Sequence, residues 1–243
     1  MGDPYWAPPP AAPFLSEVGR EPRPLRIALT TRPWHDSPVD HECAEAAHAA
    51  ASLCASLGHF VEEAHPEIDE AAWRRATRVI VGANVAFGLE ARAAVLGRTL
   101  TEEDVERMTW ERVVDGRQMS AAEYARSIFI VHRVGRQVAR FFQHHDVLLS
   151  PTMCKPPHPL GVLDMSTTNP DAYLAAVFAC IGFTSLFNSS GNPAMTVPLA
   201  MSSAGLPLGV QFAARFGDEA TLFRLGAQLE AAQPWAGRRP PAR

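Results

Sequence analysis

The sequence predicts an α/β fold, and three observations carry that reading. Leu25–Thr30 (LRIALT), a helical stretch ending near Leu57 and His59–Ala64 follow one another as strand, helix and strand, the unit from which such folds are assembled. Amphipathic helices and short apolar runs recur down the rest of the chain. Finally, 21 prolines and 16 glycines in 243 residues punctuate it too often for a plain helical bundle. With 47% hydrophobic and 20% charged residues, the chain can bury a core and is neither disordered nor fibrous.

Taken in order, residues 1–24 hold Pro8, Pro9, Pro10, Pro13, Pro22 and Pro24 with little apolar periodicity, which predicts an extended, proline-rich lead-in ahead of a single unit over 25–243. A helix follows Ser37-Pro38 and runs to Leu57, where Gly58 supplies a left-handed cap. From Asp69 to about Leu96, Trp73, Ala76, Ile80, Ala83 and Phe87 repeat at helical spacing and read as core. Thr101-Glu102-Glu103-Asp104 resembles a helix start, with acids near the positive end of the dipole. Ser120 and Glu123 form a capping box for a helix striped by Tyr124, Ile128, Val131, Gly135, Val138 and Phe142, ending near His144-His145. Asp146–Ser150, stopped by Pro151, is a buried strand. A proline-rich loop spans 151–168, and an apolar helix runs from Asp171 to Ile181. Strands are expected at Ala194–Pro198 and Gly209–Ala214, and a last helix at Asp218–Ala232.

Composition narrows the function. Lys and Arg total 22 against 26 Asp and Glu, a net charge of −4, so the electrostatic source of nucleic-acid binding is missing. No apolar stretch approaches the roughly 20 residues that span a bilayer, and the first residues lack the basic start and apolar run of a signal peptide. Cys43, Cys54, Cys154 and Cys180 are widely spaced and form no CxxC pair, so they read as reduced thiols of a cytoplasmic protein.

Standard catalytic signatures are missing as well. The chain has no Gly-x-Ser-x-Gly elbow, no Gly-x-Gly-x-x-Gly and no Walker loop. His41, Cys43 and His48 lie close in sequence, but Cys43 falls off the line of the two histidines on one helix, so they do not converge as metal ligands. Cys154 and His158 share the 151–168 loop and could pair as thiolate and imidazole, yet the sequence shows no electropositive pocket for them. Within Gly182–Pro198 (GFTSLFNSSGNPAMTVP), Ser189-Ser190-Gly191 invites a nucleophile reading, but no local base is evident. Asn188, Ser189, Ser190, Gly191 and Asn192 are all strong turn formers, and a turn is the better reading.

Three stretches carry a family resemblance. Asp146-Val-Leu-Leu-Ser-Pro151-Thr152, then Phe187-Asn188-x-x-Gly191-x-Pro193-Ala-x-x-Val-Pro198, then Gly205-Leu206-Pro207-x-Gly209-Val210-Gln211, with Leu229-Glu230 and Pro234-Trp235 behind, resemble in order the C-terminal half of the amidase signature family. The likeness covers roughly residues 20–240 and is strongest after 140. The run from Gly205 to Pro241 looks most like the branch containing 6-aminohexanoate cyclic dimer hydrolases.

The resemblance implies a three-layer α/β/α fold on a mixed central sheet, here incomplete. It also implies hydrolysis of a carboxylic amide, linear or cyclic, without metal or organic cofactor. In that family a serine nucleophile is linked through a second serine, in a cis peptide, to a lysine base. No Gly/Ser-rich signature run occurs in this chain, and its only lysine, Lys155, lies beyond the family's catalytic segment. Gly2-Asp3-Pro4-Tyr5 resembles the family's mid-chain connector. The expectation is therefore a truncated amidase with no catalytic residue of its own. Thr184, Phe187 and Asn188, with the 151–165 loop, are expected to shape a pocket for a small-molecule amide. For Asn188 and Gln211 the plainer reading is a buried amide satisfying backbone groups. The partner expected is a missing N-terminal half, or a second copy meeting unpaired strand edges. A non-catalytic remnant and a small-ligand binding protein are the alternatives.

Overall fold

The computed structural model describes residues 5–238. Gly2, Asp3 and Pro4 of the expected connector Gly2–Tyr5, and positions 239–241 of the Gly205–Pro241 run, lie outside the described residues. Five strands form one mixed sheet: β1 (Arg26–Leu29), β2 (Phe60–Glu63), β3 (Val147–Pro151), β4 (Ala194–Met201) and β5 (Pro207–Ala214), in the order β2-β1-β3-β5-β4. β1 runs parallel to both β2 and β3, with Ile27 opposite Val61 and Val147. β3 then pairs antiparallel with β5, Leu149 opposite Phe212, and β5 pairs antiparallel with β4. All five residues of β3 are buried, as a strand covered on both faces requires.

Alternation along the strands divides the core in two. Ile27, Leu29, Val147, Leu149, Val210 and Phe212 face α1 (His41–Ser56) and α7 (Glu219–Ala232). On the opposite face, Ala28, Leu148 and Ala213 pack beneath Trp73 of α2 (Glu70–Val95), Val134 and Val138 of α4 (Ala121–Phe141), and Leu186 and Phe187 of α6 (Ser185–Ser190). Helices thus cover both faces, which is the three-layer arrangement expected. α3 (Arg107–Gln118) rides on α2, where Gly116 and Gly82 meet backbone to backbone. α5 (Pro170–Phe178) starts with Pro170 in its first turn behind the Asn169 cap.

Local chemistry sets most of the boundaries. The Asp40 carboxylate accepts from the Glu42 amide at the start of α1, and Gly58 adopts φ +90° just past its end. Ser120 and Glu123 close the expected capping box on α4.

Four expectations need correction. Thr101 caps only one 3₁₀ turn, Glu102–Asp104. Val105 then turns extended, and α3 starts at Arg107. Phe87 is exposed rather than core, because the buried stripe of α2 passes through Ala72, Trp73, Ala76, Gly82, Ala86 and Ala93. Of the segment expected as a turn at 188–192, residues 188–190 belong to the helix α6, since Leu186 and Phe187 bury themselves in the core, and the turn is confined to Gly191, which ends the helix left-handed at φ +75°, and Asn192 beyond it. β4 does not stop at Pro198. A register shift between Val197 and Ala200 carries it past the proline, which stands on the outermost strand where no ladder bond is lost.

The proline-rich lead-in is tied down. The Phe14 ring stacks on Phe223 of α7 with centroids 5.2 Å apart, and the buried Glu17 carboxylate accepts from Arg224 Nε at 2.6 Å.

Candidate functional site

The residues of the family resemblance converge where β3 and β5 meet the segments leading into and out of α6. The Gln211 amide is buried on β5 and donates to Ser150 Oγ and to the Phe183 carbonyl, each at 3.3 Å. It ties two strands to the segment before α6, and its bond to the Phe183 carbonyl is that of a buried amide satisfying a backbone group. Phe187 is buried against the same core as Trp34 and Trp73, with its ring centroid 6.4 Å from that of Trp34. Thr184 precedes α6 and is half-buried, whereas Asn188 is exposed. That exposure corrects the buried-amide reading of Asn188. The three residues stand within one helical turn of each other, Phe187 inward and Asn188 outward.

The serines of α6 have defined partners. Ser189 Oγ accepts from Trp73 Nε1 at 3.0 Å and donates to the Ser185 carbonyl. Ser190 Oγ is buried with no hydrogen-bond partner among the described residues, so no base touches it. Ser185 is different: its Oγ lies 3.2 Å from His35 Nε2. The imidazole is wedged against Trp73 and Phe178, and burial, reinforced by the Arg74 charge, pushes its pKa down, so it is neutral at pH 7 and can take either role in that bond. Sequence reasoning missed this contact. His35 and Ser185 are 150 residues apart, and nothing in the sequence around either points to the other.

Around the 151–165 loop the backbone is pinned by hydrogen bonds from the Cys154 amide to the Cys180 carbonyl and from the Asp40 amide to the Cys154 carbonyl, both 2.7 Å. Leu160, Val162, Leu163 and Met165 stand exposed on this loop. Cys154 is wholly buried and does not meet His158, whose partner is Cys180. His41 pairs with Glu45 on the surface of α1, and no cluster of three or more potential metal ligands occurs among the described residues. His145 stacks on Phe141 and contacts the Glu62 carboxylate at 2.8 Å. No helix among the described residues is long and apolar enough to cross a membrane.

Comparison with known proteins identifies the family. A 6-aminohexanoate-cyclic-dimer hydrolase of Paenarthrobacter ureafaciens is 34% identical over 247 residues, covering 98% of this chain and 50% of that protein. A lipoamidase of Enterococcus faecalis is 30% identical over 84% of this chain and 31% of its own length. The solved structure of a 6-aminohexanoate cyclic dimer hydrolase superposes with a TM-score of 0.89 at 34% identity, over 99% of this chain and 51% of the other. A bacterial aryl acylamidase of the amidase signature family shares the fold at a TM-score of 0.72 and 20% identity. The chain spans about half the length of the curated relatives it matches. The family described as Amidase matches residues 1–223, and on that match, with the shared fold and motifs, this chain belongs to the amidase family.

Proposed function

We propose that these 243 residues form the C-terminal half of an amide-hydrolysing domain, contributing the walls of the substrate pocket while the serine pair and lysine lie in the other half. The observation that carries this reading is the combination of a match to half of the 6-aminohexanoate-cyclic-dimer hydrolase with a sequence that holds no Gly/Ser-rich run and only one lysine. Two features support it. Ser189 is committed to Trp73, and Ser190 touches no base, so neither is poised as a nucleophile. The outer edge of β4 and the apolar residues 160–165 offer a strand edge and a surface of the kind a neighbouring half would cover.

Thr184, Phe187 and Asn188, beside the 151–165 loop, then select the amide, whether linear or cyclic, and no metal or organic cofactor is needed. Four free cysteines support a cytoplasmic setting.

The test is an amide-hydrolysis assay with 6-aminohexanoate cyclic dimer, using the purified chain alone and the chain mixed with the N-terminal half of the Paenarthrobacter relative. Turnover is expected only in the mixture. Turnover by the chain alone, abolished by Ser185→Ala or Ser190→Ala, or a covalent acyl adduct on any of its serines, would overturn the proposal. Binding of a short amide by the chain alone, with no turnover in the mixture, would favour a ligand-binding protein instead.

A further inference from the structure

Beside the 153–163 loop lies a cavity of about 480 Å³, walled by Pro156, Pro157, Leu160, Leu163 and Leu208. Two cysteines and the chain's only lysine, Lys155, also line it. The cysteines, Cys43 and Cys180, are equally buried, each 4% exposed, but their surroundings differ. Cys180 Sγ lies 2.9 Å from His158 Nε2 and 3.0 Å from the Ala176 carbonyl oxygen, so its single proton has an imidazole within reach. Burial pushes both thiols up, Cys43 to about 11. Lys155 opposes the rise at Cys180, whereas Asp40, Cys154 and Glu42 reinforce it at Cys43.

We propose that Cys180, with His158 as its base, is a modification site for small, weakly polar electrophiles of the α,β-unsaturated carbonyl class that enter this cavity. The inference does not depend on the amide-hydrolysis reading, although its cavity is walled by the 151–165 loop that the reading also uses. The step balances without a further reagent. His158 Nε2 takes the thiol proton, and Sγ forms a bond to the β-carbon as the carbon–carbon π bond breaks. The imidazolium then returns the proton to the α-carbon. The Lys155 charge favours the enolate formed in between. Apolar walls suit an uncharged reagent, and a soft sulfur nucleophile suits a soft carbon electrophile.

N-ethylmaleimide is the probe, applied to the intact chain at a series of pH values, with adduct formation at each cysteine followed by peptide mass spectrometry. Cys180 is expected to react at least about tenfold faster than Cys43 at neutral pH, because only it can hand its proton to an imidazole. Between pH 7 and 9 its rate is expected to rise less steeply than that of Cys43, because a thiol that hands its proton to a neighbouring base does not wait for free thiolate as a lone thiol does. His158→Gln should remove the advantage of Cys180 and leave the Cys43 rate unchanged. Equal rates at the two cysteines, or a Cys180 profile as steep as that of Cys43, would overturn the proposal, and the profile needs no variant to fold.

Discussion

Asp146 sits at the base of β3 with its carboxylate almost wholly buried, and three arginines converge on it. Arg23 reaches Oδ1 at 2.8 Å, Arg215 reaches it at 2.7 Å, and the Arg26 amide donates to Oδ2 at 2.9 Å. Burial alone would raise its pKa. The hydrogen bonds from Arg23 and Arg26 outweigh that and hold it at about 2. A carboxylate with a depressed native pKa contributes stability above its unfolded value and loses it as pH falls through the native one. His65 loses stability in the same direction one stage earlier, because burial and Arg32 push its pKa down to about 4 and the unfolded chain takes up the proton first. Acid unfolding is therefore expected to show one loss between pH ~6.5 and 4 and another between ~4 and 2. Asp146→Asn should shrink the second, to which Glu42, Asp104 and Glu123 also contribute. The substitution should cost roughly 2 kcal/mol at neutral pH, read from denaturant midpoints. An unchanged low-pH limb in that variant would contradict the assignment. The sequence marks Asp146 as the first residue of a strand and of a family motif, while the structure starts the strand one residue later at Val147. Its partners come from two distant segments, residues 23–26 and Arg215, a convergence that no local pattern encodes.

Elements were legible where chemistry is local and obscure where packing decides. Asp40, Gly58, Ser120 and Glu123 announce their helix ends because a cap is a contact within a few residues. The Asn-Ser-Ser run of α6 announces a turn, yet burial of Leu186 and Phe187 beneath Trp73 folds it into a helix. Phe87 fits the helical period but lies on the wrong side of α2, since small residues, not large ones, mark the packed face there. The close approach of Gly82 and Gly116 is the reason: a Cβ on Gly116 would run into the Gly82 carbonyl and the Ala86 side chain. Gly116→Ala should force α3 away from α2 and cost about 1–3 kcal/mol in a thermal or denaturant melt, whereas Gly135→Ala, with open space around it, should be neutral or stabilising. Equal effects of the two substitutions would count against this packing.

At the scale of the molecule, the layers, strand identities and mixed sheet were accessible from the sequence and its family likeness, while strand order was not. Pairing of β3 with β5 joins positions about 60 residues apart, and the sequence carries no trace of which strands become neighbours. Of the candidate site, the stretch holding Thr184, Phe187 and Asn188 was legible as a motif, but the His35–Ser185 contact was not, because it exists only once the sheet has brought two loops together. The two sheet edges also differ. β2 is short and carries Glu62 and Glu63, charges that discourage strand addition, whereas β4 runs for eight residues and carries Thr196 and Met201 without charge. Self-association of the isolated chain through β4 is expected on size-exclusion chromatography with light scattering. A stable monomer across a wide concentration range would argue against it.

β3 stands between two pieces of the sheet that are separated in the chain by the loop bearing the fully exposed Leu160. A nick there cuts the polypeptide without touching the ladder between β3 and β5, so brief chymotrypsin digestion should give two fragments that travel together in native buffer and part only in denaturant. The covalent link between front and back of this molecule is dispensable once the sheet has closed.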